Sequence, residues 1–160
     1  MEHSVTYPFS VSRLWEVLAT EQYWHDLLEA INSSHGRLES FAVVGDTITV
    51  DMQQGVPADL LPSVVTAVRP GDLEIPRRST FTRSGDAING DITASVAGAP
   101  AKINGVVISS GDPASTTYSA NVQVSVPFVG GKIEKAVIDQ LIDLLDLEAQ
   151  QTVTWEAAAR

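Results

Sequence analysis

The sequence predicts an α+β fold in which a curved antiparallel sheet of about six to seven strands packs around one long C-terminal helix. Two observations carry this prediction. Residues 116–128 alternate between apolar and polar side chains, as in a strand with one buried and one solvated face. Residues 132–155 then change to a repeat of about 3.6 residues, which indicates one amphipathic helix long enough to cross a small sheet.

The last strand and the corner after it can be assigned in detail. Gly130 and Gly131 follow the strand, and we expect them to permit a sharp turn into the helix. A phosphate-binding loop is excluded, because that motif needs glycine at Val126 and serine or threonine at Ile133. The side chains expected to face inward from the strand are Tyr118, Ala120, Val122, Val124, Val126 and Phe128.

The long helix has an apolar stripe and an acidic side. We interpret its acidic run as a solvated face; a docking stripe for a basic partner is the alternative. The acidic run comprises Asp139, Asp143, Asp146 and Glu148. The apolar stripe comprises Ile133, Ala136, Val137, Leu141, Leu144 and Leu145.

Turn residues divide the preceding chain into short elements. Ser10 or Ser12 is a candidate N-cap for the first helix, and Gly45-Asp46 is a hairpin signal. Residues 64–68 are expected to be a strand end or an irregular crossing. The predicted helices are 11–19 and 21–31, and the predicted strands before the last one are 4–9, 35–44, 47–53, 73–83, 87–96 and 101–109.

Composition limits the class of protein. The 160 residues, 44% of them hydrophobic, predict a single domain over 1–160. The chain has no cysteine, so disulfides and thiolate metal sites are excluded. We find neither a signal peptide pattern nor a run of ~20 apolar residues, and we expect a soluble cytoplasmic protein without an integral membrane segment. A net charge of −10 argues against nucleic acid as a partner.

Three sequence segments carry a resemblance to a known family. They are Val-Pro-Phe-Val-Gly-Gly-Lys-Ile-Glu-Lys at 126–135, Ala-Gly-Ala-Pro at 97–100 and Tyr-Pro-Phe-Ser at 7–10. The chain resembles, over nearly its whole length, an actinobacterial family called domain of unknown function 2505 (DUF2505). That family belongs to the START-like superfamily, also called SRPBCC or birch-pollen-allergen-like. The resemblance implies a helix-grip fold around a deep cavity, but no catalytic residues, because the family has no established activity.

Small residues on the inward strand faces indicate space beneath the helix. They are Ala42, Gly90, Ala94, Gly105 and Ala120. They either let the helix approach closely or leave a cavity that would hold a ligand or water. The candidate pocket residues are Tyr7, Trp15, Trp24, Met52, Arg77, Phe81, Tyr118, Leu141 and Leu145, and each of them also fits an ordinary core position.

Arg77 is the charged residue that we single out. It shares the parity of Leu73, Ile75 and Phe81, so an undisturbed strand directs its guanidinium inward, where it needs a core carboxylate or an acidic ligand as partner. The alternative is a bulge at Pro76 that lets Arg77 extend to water. We favour the bulge.

No catalytic constellation is recognisable, and we predict neither a cofactor nor a metal. His25 lies one turn from Glu21 and Glu29, which we interpret as a surface charge arrangement. Three functions remain open. The first is a non-catalytic carrier or sensor of a hydrophobic small molecule or lipid. The second is an aromatase- or cyclase-like enzyme acting on a polyketide-like substrate with Arg77 and Tyr118. The third is a protein-interaction module of the chaperone-activator kind with a collapsed pocket.

Overall fold

A computed structural model describes residues 1–32 and 36–160. It confirms the α+β class: seven antiparallel strands form one sheet that packs against a long C-terminal helix. The strands are β1 Glu2–Thr6, β2 Arg37–Val44, β3 Thr47–Val56, β4 Leu73–Ser84, β5 Ala87–Ser95, β6 Ala101–Ser110 and β7 Ser115–Val124. The helices are α1 Val11–Leu18, α2 Glu21–Asn32, α3 Ser63–Val68 and α4 Gly130–Ala158, with a short 3₁₀ turn at Ala58–Leu60.

The strand order across the sheet is β1-β7-β6-β5-β4-β3-β2. The first strand therefore pairs with the last, and α1 and α2 carry the chain from that edge to the opposite one, where β2 begins. From β2 to β7, each strand pairs with the next in sequence. The predicted hairpin turn is present between β2 and β3, where Gly45 has a φ of 59° that favours glycine.

The main core lies between the sheet and the first two helices. Ser10 is the N-cap of α1, since its side chain accepts a hydrogen bond from the backbone N–H of Arg13 at 3.2 Å. Trp24 of α2 stacks on Phe81 of β4 with a ring-centroid distance of 6.1 Å. The ring of Phe81 also lies against Gly90, where a Cβ atom would come within 2.9 Å of it. Glycine is therefore needed at position 90 for this packing.

The corner between β7 and α4 differs from the prediction. The strand ends at Val124, because its partner β6 begins at Ala101, which pairs with Val124. Phe128, which we predicted to face inward, is instead fully exposed with a φ of 68°, so that prediction is wrong. Gly130 packs so closely against β7 that a Cβ atom there would lie 2.8 Å from the carbonyl oxygen of Val124.

Two further predictions are corrected by the structure. Residues 64–68 lie in helix α3, not in a strand or an irregular crossing. Ala42 faces outward, because the pairing of β2 with β3 shifts between Leu38 and Ser40 and reverses the parity of the residues that follow. His35, the predicted first residue of β2, lies outside the described residues. The single domain over residues 1–160 stays a prediction.

Candidate functional site

Two adjoining cavities lie between the sheet and α4. The larger, which we call the apolar cavity, has a volume of about 310 Å³. The smaller, the polar chamber, has a volume of about 40 Å³, enough to hold water. Arg77, Ile92, Val107 and Tyr118 line both cavities and form the wall between them. Much of the remaining lining of the apolar cavity is aliphatic and includes Val56, Leu61, Val65, Ile75, Ala94, Val96, Leu141, Leu144 and Leu145.

A third, open depression of about 580 Å³ lies on the other face of the sheet. Its lining includes the outward side chains of Asp91, Thr93 and Asn104. Although it is larger, it excludes little water and offers no enclosed surface to a ligand. We therefore place the candidate site in the two interior cavities.

Arg77 extends into the interior from β4. The pairing with β3 runs through Pro76 without a shift, since Gln53, Met52 and Asp51 pair with Pro76, Arg77 and Arg78 in turn. Arg77 is only 9% exposed, whereas the side chain of Arg78 is 62% exposed and lies 3.7 Å from Asp51.

The bulge that we favoured at Pro76 is therefore wrong. The ladder between β4 and β5 ends with the pair Arg77–Ala94, so Pro76 lies just beyond it. At Pro76, β4 has a free edge on the β5 side, where a missing backbone N–H is tolerated. The strand consequently keeps its parity, and the guanidinium of Arg77 stays inside.

The partner of Arg77 is Glu148 of α4. Nη1 of Arg77 donates to Oε1 of Glu148 at 2.8 Å and also to Oε1 of Gln54 at 3.3 Å. Glu148 is 7% exposed, so placing it on a solvated acidic face was wrong. Seven residues separate Glu148 from Leu141, which puts the two about 20° apart around the helix. Glu148 therefore lies within the apolar stripe, and only the ion pair makes its burial tolerable.

Hydrogen-bonded hydroxyl groups surround the polar chamber. The Thr152 hydroxyl lies 2.6 Å from the backbone carbonyl oxygen of Glu148 and donates to it. Because a hydroxyl has one proton, the Tyr23 hydroxyl must be the donor in its 2.7 Å contact with Thr152. Ser109 and Thr116 pair at 2.7 Å on the sheet side. These bonds order the chamber wall and join α2 to α4.

Burial determines the charge state of the chamber. Desolvation raises the pKa of the Tyr118 hydroxyl to about 12, and it raises the pKa values of Tyr7 and Tyr23 in the same direction. A hydrogen bond also links the hydroxyls of Tyr7 and Tyr118. Burial is the largest single effect on the pKa of Arg77 and lowers it, but Glu148, Tyr118 and Tyr23 together raise it further, so the net direction is upward. The three phenols are thus neutral, and Arg77 is charged.

Two buried donors on the cavity wall lack a hydrogen-bond partner among the described residues. They are Nε of Arg77 and Nε2 of Gln54, and both side chains line the apolar cavity. Oγ of Ser79 is a third such atom, on the same face of β4. A buried polar group that stays unpaired costs about 1–3 kcal/mol, so the donors of Arg77 and Gln54 mark a place where a ligand or water would stabilise the protein.

The structure brings most of the sequence-predicted pocket residues to the two cavities. Tyr7, Trp24 and Phe81 line the polar chamber, Arg77 and Tyr118 line both cavities, and Leu141 and Leu145 line the apolar cavity. Within the described part of the chain, Trp15 and Met52 line neither and pack in the main core.

Gln54, Tyr23 and Glu148 were not predicted as site residues. Gln54 continues the inward parity of Ile48, Val50 and Met52, and Glu148 continues the stripe of α4. Both signals were present in the sequence. Continuing the two-residue alternation of β3 and the helical repeat of α4 past their last apolar residues would have placed Gln54 and Glu148 in the interior.

Within residues 1–32 and 36–160, no group of three or more His, Asp or Glu side chains is arranged to hold a metal ion. The described helices include none that is long and apolar enough to cross a membrane. The predictions of a cytoplasmic location and of no nucleic-acid partner stay predictions.

The strand order and the long closing helix define a START-like helix-grip fold. Solved structures with this fold include a conserved protein from Geobacillus kaustophilus, with a TM-score of 0.59 and 17% sequence identity over 99% of this chain and 95% of that one. They also include the Zhui aromatase/cyclase from Streptomyces sp. R1128, with a TM-score of 0.58 and 10% identity over 98% and 92%. At these identities the likeness concerns the fold.

The chain belongs to the family described as protein of unknown function (DUF2505), which matches residues 2–155. The family expected from the sequence segments is thereby confirmed. The uncharacterized protein Rv0481c of Mycobacterium tuberculosis H37Rv is 33% identical over 165 residues, covering 95% of this chain and 93% of its own. The uncharacterized protein Mb0491c of Mycobacterium bovis matches with the same identity and coverage.

Proposed function

We propose that the protein binds a hydrophobic small molecule or lipid in the apolar cavity and does not catalyse a reaction. The observation that carries this proposal is the cavity itself: about 310 Å³ of space with a mainly aliphatic wall and a polar inner end. Ligand pockets have volumes of roughly 300–1,000 Å³ and combine an apolar lining with a few polar groups. The volume is at the lower end of that range, which favours a compact ligand.

Packing supports the same conclusion. Protein interiors leave few voids larger than a water molecule, because each unfilled void forfeits dispersion contacts along its wall. Small residues line part of this cavity, including Ala94, Gly105, Ala120 and Ala136. Larger side chains at these positions would fill the space, so the cavity follows directly from the residues that line it.

Thermal unfolding in the presence of ligands tests the proposal. Fatty acids, sterols and polyketide-like aromatic compounds form the panel, and a ligand that binds the native state raises the unfolding midpoint by mass action. We expect a rise for at least one class. In parallel, phenylnaphthylamine, an uncharged fluorescent probe, should bind and become brighter. A flat response to the whole panel together with no probe binding would contradict the proposal.

A matched pair of variants locates the binding site. Ala94 lines the apolar cavity, whereas its neighbour Ser95 is exposed on the other face of β5. Ala94→Phe should fill the cavity and weaken probe binding at least about tenfold, and Ser95→Phe should leave probe affinity unchanged. Equal affinities in the two variants would place the probe outside the cavity.

An aromatase- or cyclase-like enzyme is the second candidate. Arg77 and Tyr118 lie together on the wall between the two cavities, with Glu148 paired to Arg77. These groups could orient and polarise the carbonyl groups of a polyketide-like chain. Incubation with a linear poly-β-ketone thioester distinguishes the candidates. Formation of an aromatic product by the wild type, lost in Tyr118→Phe, would favour the enzyme.

The interaction-module alternative expects a collapsed interior. The cavity of about 310 Å³ argues against this alternative.

A further inference from the structure

We infer that the ligand of the apolar cavity presents an uncharged carbonyl oxygen, as in a ketone, aldehyde or ester, to one of two unpaired donors, Nε of Arg77 or Nε2 of Gln54. This inference rests on the proposed function and specifies the chemistry of the ligand. It starts from the two buried N–H donors that line the cavity and have no partner among the described residues.

The orientation of Gln54 follows from its neighbour. Arginine has only donors, so the amide oxygen of Gln54 must face Nη1 of Arg77, from which it accepts at 3.3 Å. The amide nitrogen is then turned away from the guanidinium. Gln54 is 4% exposed and Arg77 9%, so bulk water does not solvate these donors. A ligand oxygen that enters through the cavity can satisfy one of them, and water can satisfy the other.

The charge balance beside Arg77 and Gln54 disfavours an anionic acceptor. The charged side chains that line the two cavities are Arg77, Asp143 and Glu148. Glu148 already neutralises Arg77 through the 2.8 Å contact, and the surrounding tyrosines are neutral. The N-terminal ammonium group at the wall is bonded to the carbonyl oxygen of Ala120 at 2.8 Å.

A ligand carboxylate at these two donors would therefore be desolvated next to Glu148, which already balances the charge of Arg77. A neutral carbonyl avoids this repulsion and still accepts a hydrogen bond from a buried donor. The acidic head group that we considered as a partner for Arg77 is thus replaced by the protein's own carboxylate.

Three isosteric naphthalenes, substituted at the same ring position, test the inference by displacement of bound phenylnaphthylamine. Acetylnaphthalene carries a carbonyl, isopropenylnaphthalene replaces that oxygen with a methylene group, and naphthoate replaces the methyl group with a charged oxygen. We expect the ketone to bind about tenfold more tightly than the hydrocarbon, since a buried donor gains a partner, and naphthoate to bind weakest at neutral pH.

Two variants assign the effect to the named atoms. Gln54→Met removes the amide donor, and Arg77→Lys keeps a cation beside Glu148 but removes the guanidinium Nε. The variant that removes the contacted donor should weaken the ketone about fivefold or more, and both variants should leave the hydrocarbon nearly unchanged. Arg78→Lys, on the exposed face of the same strand, is the control and should change neither ligand.

Each outcome is decisive. Equal binding of ketone and hydrocarbon, with the probe still bound, overturns the inference and leaves the proposed function intact; the donors are then satisfied by water. Tightest binding by naphthoate also overturns it and reinstates an anionic head group. Absence of probe binding to the wild type, together with a flat thermal response to the ligand panel, overturns the proposed function and this inference with it.

Discussion

Nη1 of Arg77 lies 2.8 Å from Oε1 of Glu148, although 71 residues separate the two in the sequence. This buried ion pair joins the middle of the sheet to the long closing helix at the wall between the two cavities. It also accounts for how two charged side chains can be buried in a largely apolar interior.

Breaking the ion pair should be costly, and removing it entirely should not be. Arg77→Met leaves Glu148 as an unpaired buried carboxylate and should lower the free energy of unfolding by about 3–5 kcal/mol. Arg77→Met combined with Glu148→Leu removes both charges and should recover most of that loss. Urea unfolding of the single and double variants measures the coupling.

The exposed neighbouring pair provides the control for this experiment. Arg78 lies 3.7 Å from Asp51 on the solvated face of the sheet, and Arg78→Met should change the free energy of unfolding by less than about 1 kcal/mol. If Arg78→Met were as damaging as Arg77→Met, the inward orientation of Arg77 would be wrong.

The two glycines at the start of α4 should respond oppositely to alanine. A Cβ atom at Gly130 would lie 2.8 Å from the carbonyl oxygen of Val124, whereas nothing lies within 4 Å of a Cβ atom at Gly131. Gly130→Ala should destabilise by about 1–3 kcal/mol through overpacking. Gly131→Ala should be neutral or stabilise by up to about 1 kcal/mol through helix propensity. Thermal melts compare the two, and equal effects would contradict the close corner.

The three tyrosines should resist titration in the folded protein. The chain has three tyrosines in all, and the pKa values of Tyr7, Tyr23 and Tyr118 are all raised above the ordinary value of 10.0 by burial. A folded-state pKa above the unfolded one contributes stability that is complete below pH 10.0 and is lost as the pH rises toward about 12, the value for Tyr118.

An alkaline titration checks this expectation. Tyrosinate absorbance should appear only together with the loss of the helical circular dichroism signal. A phenolate that forms near the ordinary tyrosine pKa of about 10, while the protein is still folded, would show that the polar chamber is open to solvent.

Leu145 should be the most sensitive leucine position of the C-terminal helix. It is buried and forms part of the apolar cavity wall, so Leu145→Ala should lower the free energy of unfolding by about 2–5 kcal/mol. Asp139 is exposed on the same helix, and Asp139→Ala should change stability by no more than about half a kcal/mol. Similar denaturation midpoints for the two variants would contradict the orientation of α4.

The period of the side chains was enough to predict most elements. The parity of Leu73, Ile75 and Phe81 already directed Arg77 inward, and the structure follows that parity. We favoured a bulge because proline is disruptive within a strand, but the strand pairing shows that Pro76 lies beyond the β5 ladder. The position at which the β4–β5 pairing ends depends on β5, so it cannot be predicted from the sequence around Pro76.

The repeat of apolar side chains within one segment also fails to predict the structure where the segment is short or where the strand register shifts. Residues 64–68 are too few to distinguish a helix from a strand, and they form α3 because they pack against α4 and the end of the sheet. Ala42 follows a register shift between Leu38 and Ser40, which turns it outward. One extra residue in a strand reverses every later side chain, and a shift of this kind leaves no mark in composition.

By itself, the sequence determined the fold class and the family, through the order of its elements and its motifs. It also determined the inward parity of the central strands and the apolar stripe of the closing helix, since these depend on periods within one segment. Only the tertiary structure decided that Glu148 is the partner of Arg77, that Gln54 and Arg77 retain free donors, and that a cavity of about 310 Å³ lies beside them. The physical reason is that a charge is tolerated in a core only when a partner from another element reaches it. The contact between Arg77 and Glu148 depends on how the sheet and the helix pack, and no single segment of the sequence specifies this packing.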